Sequence, residues 1–365
     1  MFITEREQEI LNFLKQDPLI PQQELADKLE LSRSAVAVHI MNLTRKGFIK
    51  GKGYILSPEQ YALVIGGANM DLCGKADKPL IDGDSNPGKL TSSAGGVGRN
   101  IAENQSRLGS TVQFIGAIGD DQWGVQLKQA CVNAGVGVDH CLTVSGATTS
   151  SYLSIHDSNG EMKLALNDME LINSLTPEKL ERKEGVISRA SMLVLDANLS
   201  EEALDYLFSV YGDKPIFVDP VSTIKAQKLL PYLDRIHTLK PNLAEAELLT
   251  GHKIESEEDL PDVARQIHEK GVKNVLISLG SKGAYSSDGV TQEFIPPGET
   301  QVNNVTGAGD ALMAGLAHGF MRQWNWENSV NFSLAAAKLA LVADKTINLS
   351  MSEQAVLNYI EQKTV

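Results

Sequence analysis

From Leu63 onward, short apolar runs alternate with longer amphipathic stretches, and this pattern restricts the fold more than anything else in the chain. Leu63-Val64-Ile65, Phe114-Ile115-Gly116, Met192-Leu193-Val194-Leu195-Asp196, Ile216-Phe217-Val218-Asp219-Pro220 and Val275-Leu276-Ile277-Ser278 are of strand length. Helical stretches at 122–134, 202–211 and 259–270 lie between them. Strands that are apolar on both faces belong inside a sheet covered by helices. The pattern therefore predicts an α/β fold with a doubly wound, mostly parallel sheet. Ligands of such sheets bind beyond the carboxyl ends of the strands.

Two regions break the alternation. Residues 72–93 are rich in Gly, Ser and Asp, and 150–167 alternate on both sides of a turn at Asp157-Ser158-Asn159-Gly160. The second is a hairpin signal. Together they predict a small β lid from about 72–93 and 150–168, which also offers a dimer surface.

The N-terminal residues differ in charge. The chain has 33 Lys and Arg against 46 Asp and Glu, 33 − 46 = −13, yet residues 1–58 carry eight basic and seven acidic side chains, net +1. Such an acidic body does not coat nucleic acid or anionic membrane non-specifically. Residues 31–58 hold Arg33, Arg45, Lys46, Lys50 and Lys52 and no acid. A basic segment on an acidic body predicts a separate module that meets a polyanion. Ile10, Leu11, Phe13 and Leu14 have helical spacing, Pro21 can start a second helix, and Ser32 can cap a third over Val36, Ile40 and Leu43. The Gly51-Lys52-Gly53-Tyr54-Ile55-Leu56 stretch reads as a β-wing. Residues 1–58 thus resemble a winged helix-turn-helix DNA-binding domain. Arg33 and Ser34 would then lie near base edges, and Arg45, Lys46, Lys50 and Lys52 near phosphates. The plainer alternative is a helical module that serves only subunit contact.

Other classes are excluded. No apolar run reaches the length of a membrane span, and the charged start MFITEREQEI does not read as a signal peptide. Cys73, Cys131 and Cys141 form no CxxC pair, and the seven histidines form no HExxH. The expectation is a cytoplasmic protein with reduced thiols and no dedicated zinc site.

Three glycine loops compete as phosphate cradles. Gly83–Lys89 fits G-x-x-x-x-G-K, but Leu90 follows where Ser or Thr should ligate Mg²⁺, and Pro87 removes an N–H. It is rejected. Ala94-Gly95-Gly96-Val97-Gly98-Arg99-Asn100 runs into a helix and lets a polar ligand approach backbone. Asn304-Val305-Thr306-Gly307-Ala308-Gly309-Asp310 also opens a helix, and its bare amides form an anion site. An acid beside such a site is costly unless it has a task, such as taking a proton from an attacking hydroxyl.

These motifs, with Lys240-Pro241-Asn242-Leu243-Ala244-Glu245 and Ser278-Leu279-Gly280-Ser281-Lys282-Gly283, resemble the ribokinase-like (PfkB) family of carbohydrate and nucleoside kinases over 62–362. The resemblance implies an ATP-dependent phosphotransferase with an alcohol acceptor. It makes Asp310 the base and Gly307, Ala308 and Gly309 the anion hole. It assigns Asp71, Asn69, Gly95, Gly96, Asn100 and Asn167 to the substrate, and Asn242, Ser278, Gly280 and Gly283 to ATP. Glu245 and Asn242 would help place Mg²⁺ through water. Asn304 stands where family members often have Asp, which argues against a monovalent-cation (K⁺) site. Within the family, Ser85–Lys89, Asn167-Asp168-Met169 and Asn304–Gly307 look like the pseudouridine kinases, so the implied acceptor is the 5′-hydroxyl of pseudouridine or a related nucleoside. Free ribose is the alternative substrate. A sugar- or nucleoside-sensing transcriptional regulator on a kinase fold is the alternative function. The expected assembly is a homodimer.

Overall fold

Strands form where the sequence places its apolar runs. The computed structural model describes residues 3–51, 60–298 and 302–364. In chain order the strands are β1 (Ala62–Ile65), β2 (Asn69–Ala76), β3 (Gly88–Gly95), β4 (Val112–Ile115), β5 (Ala117–Gly119), β6 (Leu142–Val144), β7 (Ser151–His156), β8 (Met162–Asp168), β9 (Met192–Asp196), β10 (Ile216–Asp219), β11 (Thr238–Leu239), β12 (Asn274–Ser278), β13 (Ala284–Ser287) and β14 (Gln292–Ile295). The helices are α1 (Glu5–Gln16), α2 (Gln22–Lys28), α3 (Arg33–Arg45), α4 (Val97–Arg107), α5 (Gln122–Asn133), α6 (Pro177–Glu181), α7 (Glu184–Arg189), α8 (Glu201–Tyr211), α9 (Thr223–Ala226), α10 (Leu243–Thr250), α11 (Leu260–Glu269), α12 (Ala308–Met321), α13 (Trp326–Leu341) and α14 (Glu353–Thr364). Among the described residues no helix is long and apolar enough to cross a membrane.

The chain divides into two compact units, Met1–Gln60 with Glu178–Ala190, and Tyr61–Pro177 with Ser191–Val365. The larger unit is built on an eight-stranded sheet in the order β14-β13-β12-β11-β10-β9-β1-β4. Pairing is parallel from β12 to β4 and antiparallel only at β12–β13 and β13–β14. The doubly wound expectation holds. Every residue of β1, β4, β9 and β10 is buried, because helices cover both faces.

A second sheet, β3-β2-β7-β8, is built from the two regions expected to form a lid. Its last two strands are the hairpin expected from the alternation, turning at Asp157–Gly160 with Asp157 accepting from Asn159 N at 2.9 Å. Residues directly opposite one another share a face. One face carries the row Ser93, Asp71, Tyr152, Asn167. The other carries Leu72, Leu153 and Leu166, then Leu90, Gly74, Ile155 and Leu164. The rejected loop joins β2 to β3, so no helix follows it.

In the smaller unit α1, α2 and α3 close over Ile10, Leu14, Leu25, Val36, Ile40 and Leu43. Ser32 caps α3, accepting from Ala35 N at 3.1 Å, and Pro21 occupies the cap position of α2. The wing residues, Lys52 among them, fall at 52–59, outside the described residues. One feature departs from the expected boundary at residue 58. The segment Glu178–Ala190, which leads toward β9, belongs to this unit. The Arg189 guanidinium lies 4.7 Å from the centre of the Phe48 ring, just past the end of α3. A Cβ at Gly47 would come within 3.0 Å of Arg189, and one at Gly185 within 3.1 Å of the Arg45 carbonyl. No apolar run or motif marks this segment in the sequence.

Candidate active site

The carboxyl ends of the parallel strands supply the site. β1 ends in Gly66-Gly67, β9 in Asp196, β10 in Asp219, β11 runs into Lys240, and β12 ends in Ser278. Asp196 is fully buried and accepts three backbone N–H groups, from Gly67 at 2.8 Å, Gly98 at 2.7 Å and Asn198 at 2.9 Å. One carboxylate thus ties the glycine turn after β1 to the start of α4. Burial pushes its pKa up, against those hydrogen bonds. A Cβ at Gly98 would lie 2.9 Å from Gly66 Cα, so this close approach requires glycine.

Beside that turn, Asn69 Nδ2 donates to Asp71 Oδ1 at 2.7 Å. A Cβ at Gly95 would fall 2.2 Å from Asp71 Oδ2, so the carboxylate rests on bare backbone. Burial raises the Asp71 pKa, and Asn69 and the Arg99 charge hold it back. Asn167 lies in the same cross-strand row as Asp71, on an exposed strand.

The second glycine turn faces this group. Gly307 caps α12 at φ 87°, with the Thr346 carbonyl 2.2 Å from where its Cβ would stand. Only glycine fits there. Asp310 follows in the first turn of α12. Asn100 Nδ2 donates to Asp310 Oδ2 at 2.8 Å, linking two motifs 210 residues apart. The Asp310 carboxyl is pushed up to about 7 by burial and then by the Asp219 charge; Asn100 and Lys240 pull the other way.

Lys240 is buried and paired with Asp219 at 3.1 Å. Burial lowers its pKa, but Asp219 outweighs this and the ammonium stays charged. A Cβ at Gly309 would lie 3.4 Å from Lys240 Nζ, so the cation stands under the amide end of α12. Two positive features, an ammonium and a helix N-terminus, converge where an anion would sit.

The Asn242–Glu245 motif proves to be a capping box of α10. Asn242 Oδ1 accepts from Glu245 N, and Glu245 Oε2 accepts from Asn242 N, each at 2.9 Å. Glu245 is buried, which raises its pKa. Ser278 N donates to the Pro241 carbonyl at 2.8 Å, which sets the Ser278–Gly283 turn beside the same motif. Gly280 and Gly283 hold that turn at φ 62° and 104°. Asn304 accepts from Thr306 N at 2.9 Å within its own loop. Among the described residues no three His, Cys, Asp or Glu side chains gather as a metal site.

The family described as pfkB family carbohydrate kinase matches residues 59–353. The chain belongs to that family. The pfkB assignment agrees with the order of motifs along the sheet. A model described as winged helix-turn-helix DNA-binding matches residues 3–50. The chain is 40% identical to the uncharacterized sugar kinase YeiI of Escherichia coli K12 over 97% of this chain and 98% of that one. It is 42% identical to the pseudouridine kinase of Escherichia coli K12 over 83% of this chain and 97% of that one. A carbohydrate kinase from Agrobacterium tumefaciens superposes with a TM-score of 0.73 at 30% identity, covering 83% and 97% of the two chains. This pfkB kinase is therefore a carbohydrate or nucleoside kinase whose relatives include a pseudouridine kinase.

Asn69 and Asp71 sit against Gly95, Asn100 meets Asp310, and Asn242, Ser278 and Glu245 form a second group. The sequence reading missed Asp196, Asp219, Lys240 and Arg99. A signal was present, since two successive strand runs each end in Asp. On the small unit, Arg33, Ser34 and Arg45 are exposed on α3. Lys46, expected as a phosphate contact, lies at the end of α3. Its ammonium is partly buried and paired with buried Glu7 at 2.7 Å.

Proposed function

We propose that the protein transfers the γ-phosphoryl group of ATP to the 5′-hydroxyl of pseudouridine or a closely related nucleoside. The Asp310 arrangement carries the reading: a carboxylate held by Asn100, behind a left-handed glycine, on the amide end of a helix. Its pKa near 7 suits a general base. In this reading Asp310 takes the hydroxyl proton as the acceptor oxygen bonds to the γ-phosphorus. The bond to the β–γ bridging oxygen breaks and ADP leaves with that electron pair. The amides of 307–309 and the Lys240 ammonium meet charge on the transferring group, which is what phosphoryl transfer chiefly needs. Asp71, Asn69 and the backbone of Gly95 and Gly96 hold ribose hydroxyls, while Asn167 and its row neighbour Tyr152 face the base. Ser278, Gly280 and Gly283 line the nucleotide.

Mg²⁺ fits the donor set as an ion held mainly by waters and phosphates, with Glu245 and Asn242 reached through water. It supplies charge neutralisation on the phosphates. Position 304 carries an amide already engaged in its loop, so the reading includes no K⁺ requirement. A cytoplasmic location follows from the substrates.

Incubation with Mg²⁺-ATP and a panel of pseudouridine, uridine, inosine and ribose tests the assignment. Pseudouridine should give the highest kcat/KM. Phosphorylated ribose as the best product would move the reading to free sugars. No product from any acceptor would favour a ligand-sensing regulator on a kinase fold.

The winged helix-turn-helix match at 3–50 supports a second reading alongside the first. The N-terminal module binds DNA through α3, as a homodimer whose lids pair through the apolar face. Leu90, Leu164 and Leu166 on that face are 83%, 55% and 59% exposed, which a second copy would cover. Two modules also suit the two half-sites that such folds read.

A further inference from the structure

Arg99 has no part in the transfer step proposed above, yet it is 1% exposed and among the largest fully buried side chains. A buried guanidinium is costly unless its donors are used. Arg99 Nε donates to the Gly95 carbonyl at 3.1 Å, and one terminal nitrogen donates to Glu103 at 2.5 Å. The other reaches the Ala94 carbonyl at 3.0 Å and Asn100 Oδ1. Glu103 is in turn held by Arg107 at 2.7 Å. The neighbouring Cys131 thiol, pushed up to about 12 by burial, stays neutral beside this cation.

The Asn100 amide therefore lies between a cation and a carboxylate. Its oxygen faces Arg99 and its nitrogen faces Asp310. A side-chain amide is nearly symmetric in shape. Without the guanidinium it can turn over and set its oxygen against the carboxylate.

We propose that Arg99 is a positioning residue for phosphoryl transfer: it fixes the Asn100 amide with its N–H toward Asp310 and anchors the glycine turn at 94–95 through the same side chain. The inference rests on the kinase reading above. The groups that face Asp310 are Asn100 from α4, Asp219 and Asp196 from the strand ends, and Lys240 after β11. Of these, Asn100 is the one that Arg99 touches. Its hydrogen bond favours the charged carboxylate, so losing it raises the pKa of the base.

The test is a double-mutant cycle on the full chain, with Mg²⁺-ATP and pseudouridine, read as the pH dependence of kcat. Arg99→Met should move the acid limb up by about one unit and lower turnover at pH 7 about fivefold. Arg99→Gln, whose amide can still donate to Asn100, should move it less. In the Asn100→Ala background neither change should move the limb further, because both residues act in series. A limb that stays at the wild-type position in Arg99→Met, or shifts that add in the double variant, overturns the proposal. A merely structural Arg99 would raise KM and lower the melting temperature while leaving the limb in place. If Arg99→Met does not fold, Arg99→Gln completes the cycle. If the wild type phosphorylates no acceptor, the kinase reading has failed. The same cycle, followed by ¹³C titration of the Asp310 carboxyl, then still decides the role of Arg99.

Discussion

At Asp310 a single proton links turnover to stability. The carboxyl is raised from 3.8 to about 7 in the folded chain, so the native state binds an extra proton between those values. Stability contributed by that proton is present at low pH and is lost as pH rises toward 7. Charging this acid is a cost the fold bears for function. Asp310→Asn should therefore melt higher than the wild type at pH 8, with the gap closing toward pH 4, while kcat falls by about 10²–10⁴-fold. Thermal melts and turnover on the same samples check both halves. A variant that melts no higher at pH 8 would show that the carboxylate is comfortable there. The candidacy of Asp310 was legible from its place after Thr306-Gly307-Ala308-Gly309. Its partner Asn100 was legible only as a polar residue ending another motif, since nothing in sequence announces a contact across 210 positions. For the same reason Lys46 read as a surface cation, although Glu7, 39 positions earlier, holds it.

Elements were read more easily than contacts because periodicity is local. The runs at Met192–Asp196 and Val275–Ser278 became β9 and β12, and the stretch at 122–134 became α5. The β7–β8 hairpin was legible from alternation, and the sheet pairing then set Asp71 and Asn167 in one row. What periodicity could not supply was the structural work done by chemistry-bearing motifs. Asn242 and Glu245 cap α10 whether or not a nucleotide is near. Gly307 shows the reverse case, a turn residue whose geometry is itself the site. Gly307→Ala would require a side chain at φ 87° and against the Thr346 carbonyl. The first turn of α12 must then shift. Turnover with ATP should drop at least about tenfold, since misplacing reacting groups by an ångström costs more than that. A Gly307→Ala protein with wild-type kcat/KM for ATP would separate the amide end of α12 from the chemistry.

For the whole molecule, the contrast between an acidic body and a basic N-terminal stretch already suggested two modules, and the matches at 3–50 and 59–353 follow the same division. The apolar lid face and the module should act together. Leu164→Glu places charge on that face and should halve the mass seen by sedimentation. It should also weaken binding of a labelled DNA duplex, because one module then reads one half-site. Wild-type binding should fall steeply with salt, as phosphate contacts by α3 require. A dimer that survives Leu164→Glu would move the subunit contact elsewhere. The boundary of the smaller unit was not legible, because Glu178–Ala190 carries no motif and lies far along the chain. That discontinuity limits how the architecture can be re-engineered or inherited. A chimera that swaps only the first sixty residues transplants an incomplete part and strands its remaining piece in the host. The true cassette comes in two fragments, and any exchange that works must move both.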